Sequence, residues 1–312
     1  MAKPLHLYGL LLVLALLWGS AFLFIKLAVA SVDPAPAAFM RILIGALAVG
    51  ALCLVRRVSA PGKAAEWAKL SLLGLFGIAL PFFLQNAAGQ AIDSAEIAIL
   101  MATTPLLTFV LAHLLVPGER LTLAAFIGLV LGLGGVVILV APQGRGLFQM
   151  LDIGHVLALG AATCFAINII VTRRIAGMHP MTMTLGALIW ATLISGAFTL
   201  ATTDPMAIEP TGISLLAIAT LGLGATAAGA YLSIYLIQNL GPQTVALTIY
   251  LVPPIGILFG VLFLSESVTL TALGGTALIL SGIFVATAPI PSAMAALRKI
   301  ADEKLFPASA PR

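Results

Sequence analysis

The chain has 312 residues, of which 61% belong to the hydrophobic set and 8% are charged, with a formal net charge of +4. A soluble domain carries about 25% charged residues, so this composition excludes a globular protein in water and specifies an integral membrane protein. The positive excess is no nucleic-acid footprint, because the basic residues are distributed by loop rather than gathered on one face.

A helix needs about 20 apolar residues to cross a bilayer. Ten runs qualify: 7–30, 37–55, 69–90, 94–116, 121–141, 153–173, 180–200, 212–239, 242–264 and 268–288. The runs are continuous, not alternating, which predicts helices instead of a transmembrane barrel. The first, with Lys3 before it and Ala28-Val29-Ala30 at its end, imitates a signal peptide. It is longer than the apolar core of such a signal and carries Lys26 beside the supposed cleavage site, so it is read as the first span. Trp18 and Phe22 share one face of it.

Apart from the end residues Lys69 and Arg173, Lys26 in the first run and Arg41 in the second are the only cations inside the predicted spans. Both lie toward the outer ends, where a long side chain is expected to snorkel to the interface or, for Lys26, to pair with Asp33. The third run offers Asn86 and Gln90 as neutral polar groups. In the fourth, Glu96 complements the helix start, and Met101, Thr104, Pro105 and Thr108 form one face softened by the proline. His113 near its end reads as a buried hydrogen-bonding group. The sixth holds Asn168. Cys53 and Cys164 fall inside spans and read as small buried hydrophobes, not as a disulfide or metal pair. The eighth places Tyr231, Tyr235 and Gln238 on one face. The ninth contains Thr248, Tyr250 and the adjacent Pro253 and Pro254, and carbonyls freed by proline inside hydrocarbon must face protein or a wet cavity. Packing explains each of these aromatic and polar residues singly as well as substrate contact does.

The basic residues from Lys3 through Arg56, Arg57, Lys63 and Arg120 to Arg298 fall on one side of the membrane and Arg145 alone in an outer loop. This bias predicts cytoplasmic N- and C-termini. A repeat is also legible. "GERLTLAAFIGLVLGLGGVVILVAP" from Gly118 is echoed by "SESVTLTALGGTALILSGIFVATAP" from Ser265, at an offset of 147 that pairs Glu119 with Glu266, Thr122 with Thr269, Gly128 with Gly275, Gly135 with Gly282 and Pro142 with Pro289. An offset of 146 pairs Pro34 with Pro180 and sets Cys164 opposite Trp18. The chain therefore divides into a first five-helix repeat (1–147), a second (148–290) and a cytoplasmic tail (291–312). Five is odd, so the second copy enters from the opposite side, as in secondary transporters. Pro105 maps next to Pro253 and Pro254, so the fourth and ninth helices are expected to break at equivalent places around a central cavity. Thr122 and Thr269 are expected to cap the helices that follow them.

"WGSAFLFIK" from Trp18 to Lys26, together with the paired segments above, resembles the drug/metabolite transporter superfamily and within it the EamA family of ten-helix exporters. The resemblance covers nearly the whole chain and extends to the YddG-type exporters of aromatic amino acids. It implies a bacterial inner-membrane exporter with a central cavity lined by helices 1, 3, 4, 6, 8 and 9. Cys164 stands where the first half has Trp18, so that aromatic belongs to one half only.

The expected fold is an all-α membrane protein of ten helices in two inverted repeats. No H-E-x-x-H, G-x-S-x-G or intramembrane carboxylate pair is present, so no catalysis, metal or cofactor is expected. The expected partners are the lipid bilayer and a small-molecule substrate, an amino acid or related metabolite. The substrate-binding residues would be Trp18, Phe22, Asn86, Met101, Thr104, Thr108, Asn168, Tyr231, Tyr235, Thr248 and Tyr250, with Pro105, Pro253 and Pro254 as hinges. An exporter of organic cations or a lipid flippase shares these features. No Asp or Glu lies at mid-depth, which suits a facilitator better than a proton-driven carrier.

Overall fold

The computed structural model describes residues 5–59, 61–116, 123–140, 152–173, 175, 178–204, 208–240, 245 and 248–287. Lys3, Glu119, Arg120, Thr122, Pro142, Arg145, Pro289, residues 291–312 and the side chain of Gln238 lie outside the described residues.

Among those residues the regular structure is helical. Eight stretches are long and apolar enough to cross a membrane, and two more apolar helices are shorter. In chain order they are α1 (Leu5–Ala28), α2 (Pro34–Val55), α3 (Ala64–Ala91), α4 (Ser94–Leu115), α5 (Leu123–Val140), α6 (Ile153–Arg173), α7 (Pro180–Thr202), α8 (Gly212–Ile237), α9 (Thr248–Leu264) and α10 (Leu270–Thr287). Two starts lie a turn or so ahead of the hydropathy pattern. The second helix begins at Pro34 because proline suits the first helical position, where no N–H is needed. The third begins at Ala64, where Glu66 Oε2 accepts from the backbone N–H of Gly62 at 3.0 Å and Lys63 at 3.4 Å, a charged first turn that hydropathy alone reads as loop.

Four helices are irregular near mid-length. α1 turns at Ser20 between Leu5–Gly19 and Ala21–Ala28. α4 stops at Met101 and resumes at Thr104. α3 and α8 each widen into a π-helical segment, Leu75–Ala79 and Leu221–Ala228. The repeat offset carries Leu75 onto Gly222, so the two π segments are equivalent. Such segments are rare and concentrate at functional sites.

Glycines set the main crossings. Early in α5, Gly128 meets the Gly282 carbonyl late in α10; late in α5, a Cβ on Gly135 would lie 2.6 Å from the Gly275 carbonyl oxygen early in α10. The two helices are thus antiparallel, and because Gly128 is equivalent to Gly275 and Gly135 to Gly282, partners are exchanged as across a two-fold axis. These equivalent helices run in opposite directions. The absence of side chains lets the backbones touch, the usual basis of helix association in lipid.

The ends of the bundle differ in charge and packing. One face carries Arg56, Arg57, Lys63 and Lys69; the other carries Asp33, Asp93, Glu96, Asp152 and Glu266. Toward the acidic face the main apolar core joins Ile25, Ile92, Ile97, Leu100, Ala162, Ile218 and Ile279 from five helices and the turn after α3, and a second cluster runs along α2 from Ala38 to Cys53. Toward the basic face the packing separates into seams. Leu7, Leu11 and Leu14 of α1 pack with Leu236 and Leu240 beyond the π segment of α8, while Leu70 and Leu73 of α3 pack with Ala187 of α7. The acidic-side half of α1 packs on α3, α4, α8 and α9, whereas its basic-side half packs mainly on α8 and α9. The acidic end is joined by the main core, and the basic end adds two seams of its own.

Candidate functional site

Trp18 stands where these seams leave the core, half-buried and packed against both the main cluster and the α1–α8 seam. A Cβ on Gly229 would lie 2.8 Å from its indole Nε1, so the glycine makes room for the ring. Tyr235 joins the same seam, and its ring stacks on Tyr231 with centroids 6.4 Å apart. Arg56 Nη2 donates to Tyr231 Oη at 3.4 Å, which ties this pair to the basic face. Three of the expected aromatics are therefore distributed along α1 and α8. Tyr250 lies apart from them, its hydroxyl 2.9 Å from Thr287 Oγ1 of α10. Phe22 is buried where α1, α4 and α9 cross, 3.5 Å from the position a Cβ would take on Gly256. Beside Tyr231, a crevice lined by Val49, Leu52, Met181, Thr184, Ala230 and Ile234 has a volume of about 10 Å³, room for one water at most.

The threonines are satisfied within their own helices. Pro105 frees the Met101 carbonyl, and Thr104 Oγ1 donates to it at 2.7 Å; Thr108 Oγ1 donates to the Thr104 carbonyl at 2.8 Å and Thr248 Oγ1 to the Val245 carbonyl at 2.7 Å. The break in α4 thus leaves no open Met101 carbonyl for a ligand, and buried Met101 packs in the main core. The expected break in the ninth helix is corrected: α9 runs unbroken from Thr248 through Pro253 and Pro254. Only two backbone bonds are lost, within two turns of the helix start, where the first turn is free to tilt from the rings. Asn168 is half-buried and sits in the notch left by Gly77 of the π segment, where a Cβ would lie 2.7 Å from its Cγ.

Arg41 is also corrected. It does not snorkel: 4% of it is exposed. Its Nε donates to Thr226 Oγ1 in the π segment of α8 at 3.1 Å, and its Cζ lies 3.7 Å from the centroid of the Phe82 ring on α3. Close backbone contact makes this reach possible, since a Cβ on Gly222 would fall 2.9 Å from the Arg41 carbonyl oxygen and one on Gly45 2.7 Å from Thr226 Cγ2. A charged residue at the centre of a membrane helix costs about 2.5–3.5 kcal/mol on insertion scales. Arg41 Nη1 nevertheless has no hydrogen-bond partner, nor has Oδ1 of Asn86, which is 1% exposed and donates through Nδ2 to the Pro34 carbonyl at 3.2 Å.

At the acidic face the halves are clamped. A left-handed residue, Ser265 at φ 56°, follows the end of α9 and presents Glu266 to the start of α4. There the carboxylate accepts from Ser94 N at 2.8 Å, Ser94 Oγ at 2.9 Å and Ala95 N at 3.2 Å. Glu96 Oε2 accepts from Asp93 N at 3.2 Å, while its Oε1 lies 3.8 Å from Nε2 of buried His155 on α6. Burial foremost, then the Glu266 and Glu96 carboxylates, push the Asp93 carboxyl above its ordinary range, with Lys26 opposing. Lys26 acts on Asp93, and no ion pair with Asp33 is formed among the described residues. Thr269 Oγ1 accepts from Ala272 N at 3.0 Å, the expected cap of α10. Sequence reasoning missed His155, Phe82, Thr226 and the role of Glu266; the duplicated Glu119/Glu266 was its one available signal.

The EamA-like transporter family profile matches twice, over residues 7–141 and 152–288. An uncharacterized transporter of Archaeoglobus fulgidus is 27% identical over 284 residues, covering 89% of this chain and 96% of that protein. The uncharacterized transporter YvbV of Bacillus subtilis is 28% identical over 280 residues, 88% of this chain and 89% of the relative. The uncharacterized inner membrane transporter YedA of Escherichia coli K12 is 26% identical over 266 residues, 82% of each. A solved structure described only as that of a protein superposes with a TM-score of 0.64 at 23% identity, covering 90% of this chain and 96% of the other, and so shares the fold.

Proposed function

The chain belongs to the EamA-like transporter family and is a multi-pass membrane transporter, and on that premise we propose that it exports small metabolites, amino acids including aromatic ones, from the cytoplasm across the bacterial inner membrane. The observation that carries this reading is the uneven packing: the main core at the acidic face, separate seams at the basic face, and Trp18 where they part. With the basic face cytoplasmic, such a bundle reads as closed outside and divided inside. Oppositely directed halves that meet through paired glycines supply the two-fold relation by which the closed and divided ends exchange. Trp18, Tyr231 and Tyr235 would then offer aromatic faces to a substrate side chain. Among the described residues no carboxylate lies at mid-depth, so a zwitterion runs down its own gradient.

Proteoliposomes test this. Counterflow of labelled L-phenylalanine should proceed without a pH gradient, and an imposed gradient should produce no accumulation above equilibrium. Each aromatic contact contributes about 0.5–1.5 kcal/mol, so Trp18→Ala combined with Tyr235→Ala should slow counterflow about tenfold at equal incorporation. Unchanged counterflow in that double variant, or accumulation that follows the pH gradient, would overturn the reading.

A further inference from the structure

Arg41 lies seven residues into α2, about 10 Å from its acidic-face end. Two contacts fix its guanidinium: the Phe82 ring sets the plane, and Thr226 Oγ1 takes the Nε edge. A guanidinium presents five donors in a planar fork matched to a carboxylate. Nη1 is buried without a partner, and the one ion pair among the described residues is His155 with Glu96, at the acidic face. Asn86 follows Phe82 by one turn on the same face of α3, and its Oδ1 is likewise buried and without a partner. The bundle therefore holds, between α2, α3 and α8, a cationic fork lacking an anion and a carbonyl oxygen lacking a donor.

We propose that Arg41 is the substrate-recognising residue of this transporter: its guanidinium takes a substrate carboxylate while Asn86 Oδ1 accepts from the substrate ammonium. This rests on the transport reading and narrows its substrates to α-amino carboxylates, excluding the corresponding amines. The Phe82–Phe165 edge pair, with centroids 6.4 Å apart, sets an apolar surface beside the fork. The π segment of α8 gains a role, since it carries the hydroxyl that orients the fork.

The test uses the full chain in proteoliposomes, with counterflow of labelled L-phenylalanine challenged by unlabelled L-phenylalanine, phenylacetate and phenethylamine. In the wild type, L-phenylalanine and phenylacetate should compete at least about tenfold better than phenethylamine. Arg41→Lys, which keeps the charge but loses the fork, should weaken L-phenylalanine about tenfold, and Arg41→Gln should erase its advantage over phenethylamine. Thr226→Val should weaken L-phenylalanine a few-fold with phenethylamine unaffected. If Arg41→Gln does not fold, Arg41→Lys and Thr226→Val decide alone. Wild-type preferences retained in the folded Arg41 variants would overturn the assignment while leaving the transport reading intact. A wild type that moves L-phenylalanine no faster than empty liposomes would overturn both.

Discussion

Glu266→Ala should release the acidic-face clamp. The lost carboxylate is the acceptor for three donors on Ser94 and Ala95, 172 and 171 residues away in the other half of the chain. Removing a helix cap costs about 0.5–2 kcal/mol, and orphaning the hydroxyl of fully buried Ser94 adds about 1–3 kcal/mol. Water reaches the half-exposed rim of the site, which places the expected loss at about 2–4 kcal/mol. Unfolding by SDS in mixed micelles, followed through the three tryptophans, measures it. A cycle with Ser94→Ala should return a coupling of about 1–2 kcal/mol. Because the bonds join α4 to the α9–α10 turn only while the acidic face is closed, a cysteine placed at Ser94 in the Glu266→Ala background should also react faster with an impermeant maleimide. A loss below about 0.5 kcal/mol, or zero coupling with Ser94, would refute the clamp.

Gly135→Leu drives a side chain into the Gly275 backbone, 2.6 Å from where its Cβ must stand, and should cost about 1–3 kcal/mol or more in the same unfolding assay. Gly134→Leu is the control: no atom lies within 4 Å of a Cβ there, and stability should hold. Asp93 gives a pH dependence. Its carboxyl is raised, so its contribution to stability is fully present below the unfolded-state pKa and is lost as pH rises through the folded-state pKa. Asp93→Asn should therefore raise the unfolding temperature at neutral pH, and the difference should shrink as pH falls into the ordinary carboxylate range.

What the sequence determined by itself is what local composition controls. A span is a property of about 20 neighbouring residues, so the ten runs, the membrane class and the 147-residue repeat needed no contact between distant positions. By counting helices, the repeat also predicts opposite directions for the halves. Partnership was decided elsewhere. Arg41 looks the same in sequence whether it snorkels or stays inside; it stays inside because Thr226, 185 residues away, and Phe82 meet it through crossings that Gly45 and Gly222 permit. Pro105 and the Pro253-Pro254 pair carry the same local penalty, yet only α4 breaks. There the break falls in mid-span, while in α9 the prolines sit near a helix start. Glu266 reads as a polar loop residue until folding brings it against the unpaired N–H groups of α4. A helix start enclosed by the fold must find an acceptor for such groups, and which segment supplies it depends on how the two halves dock.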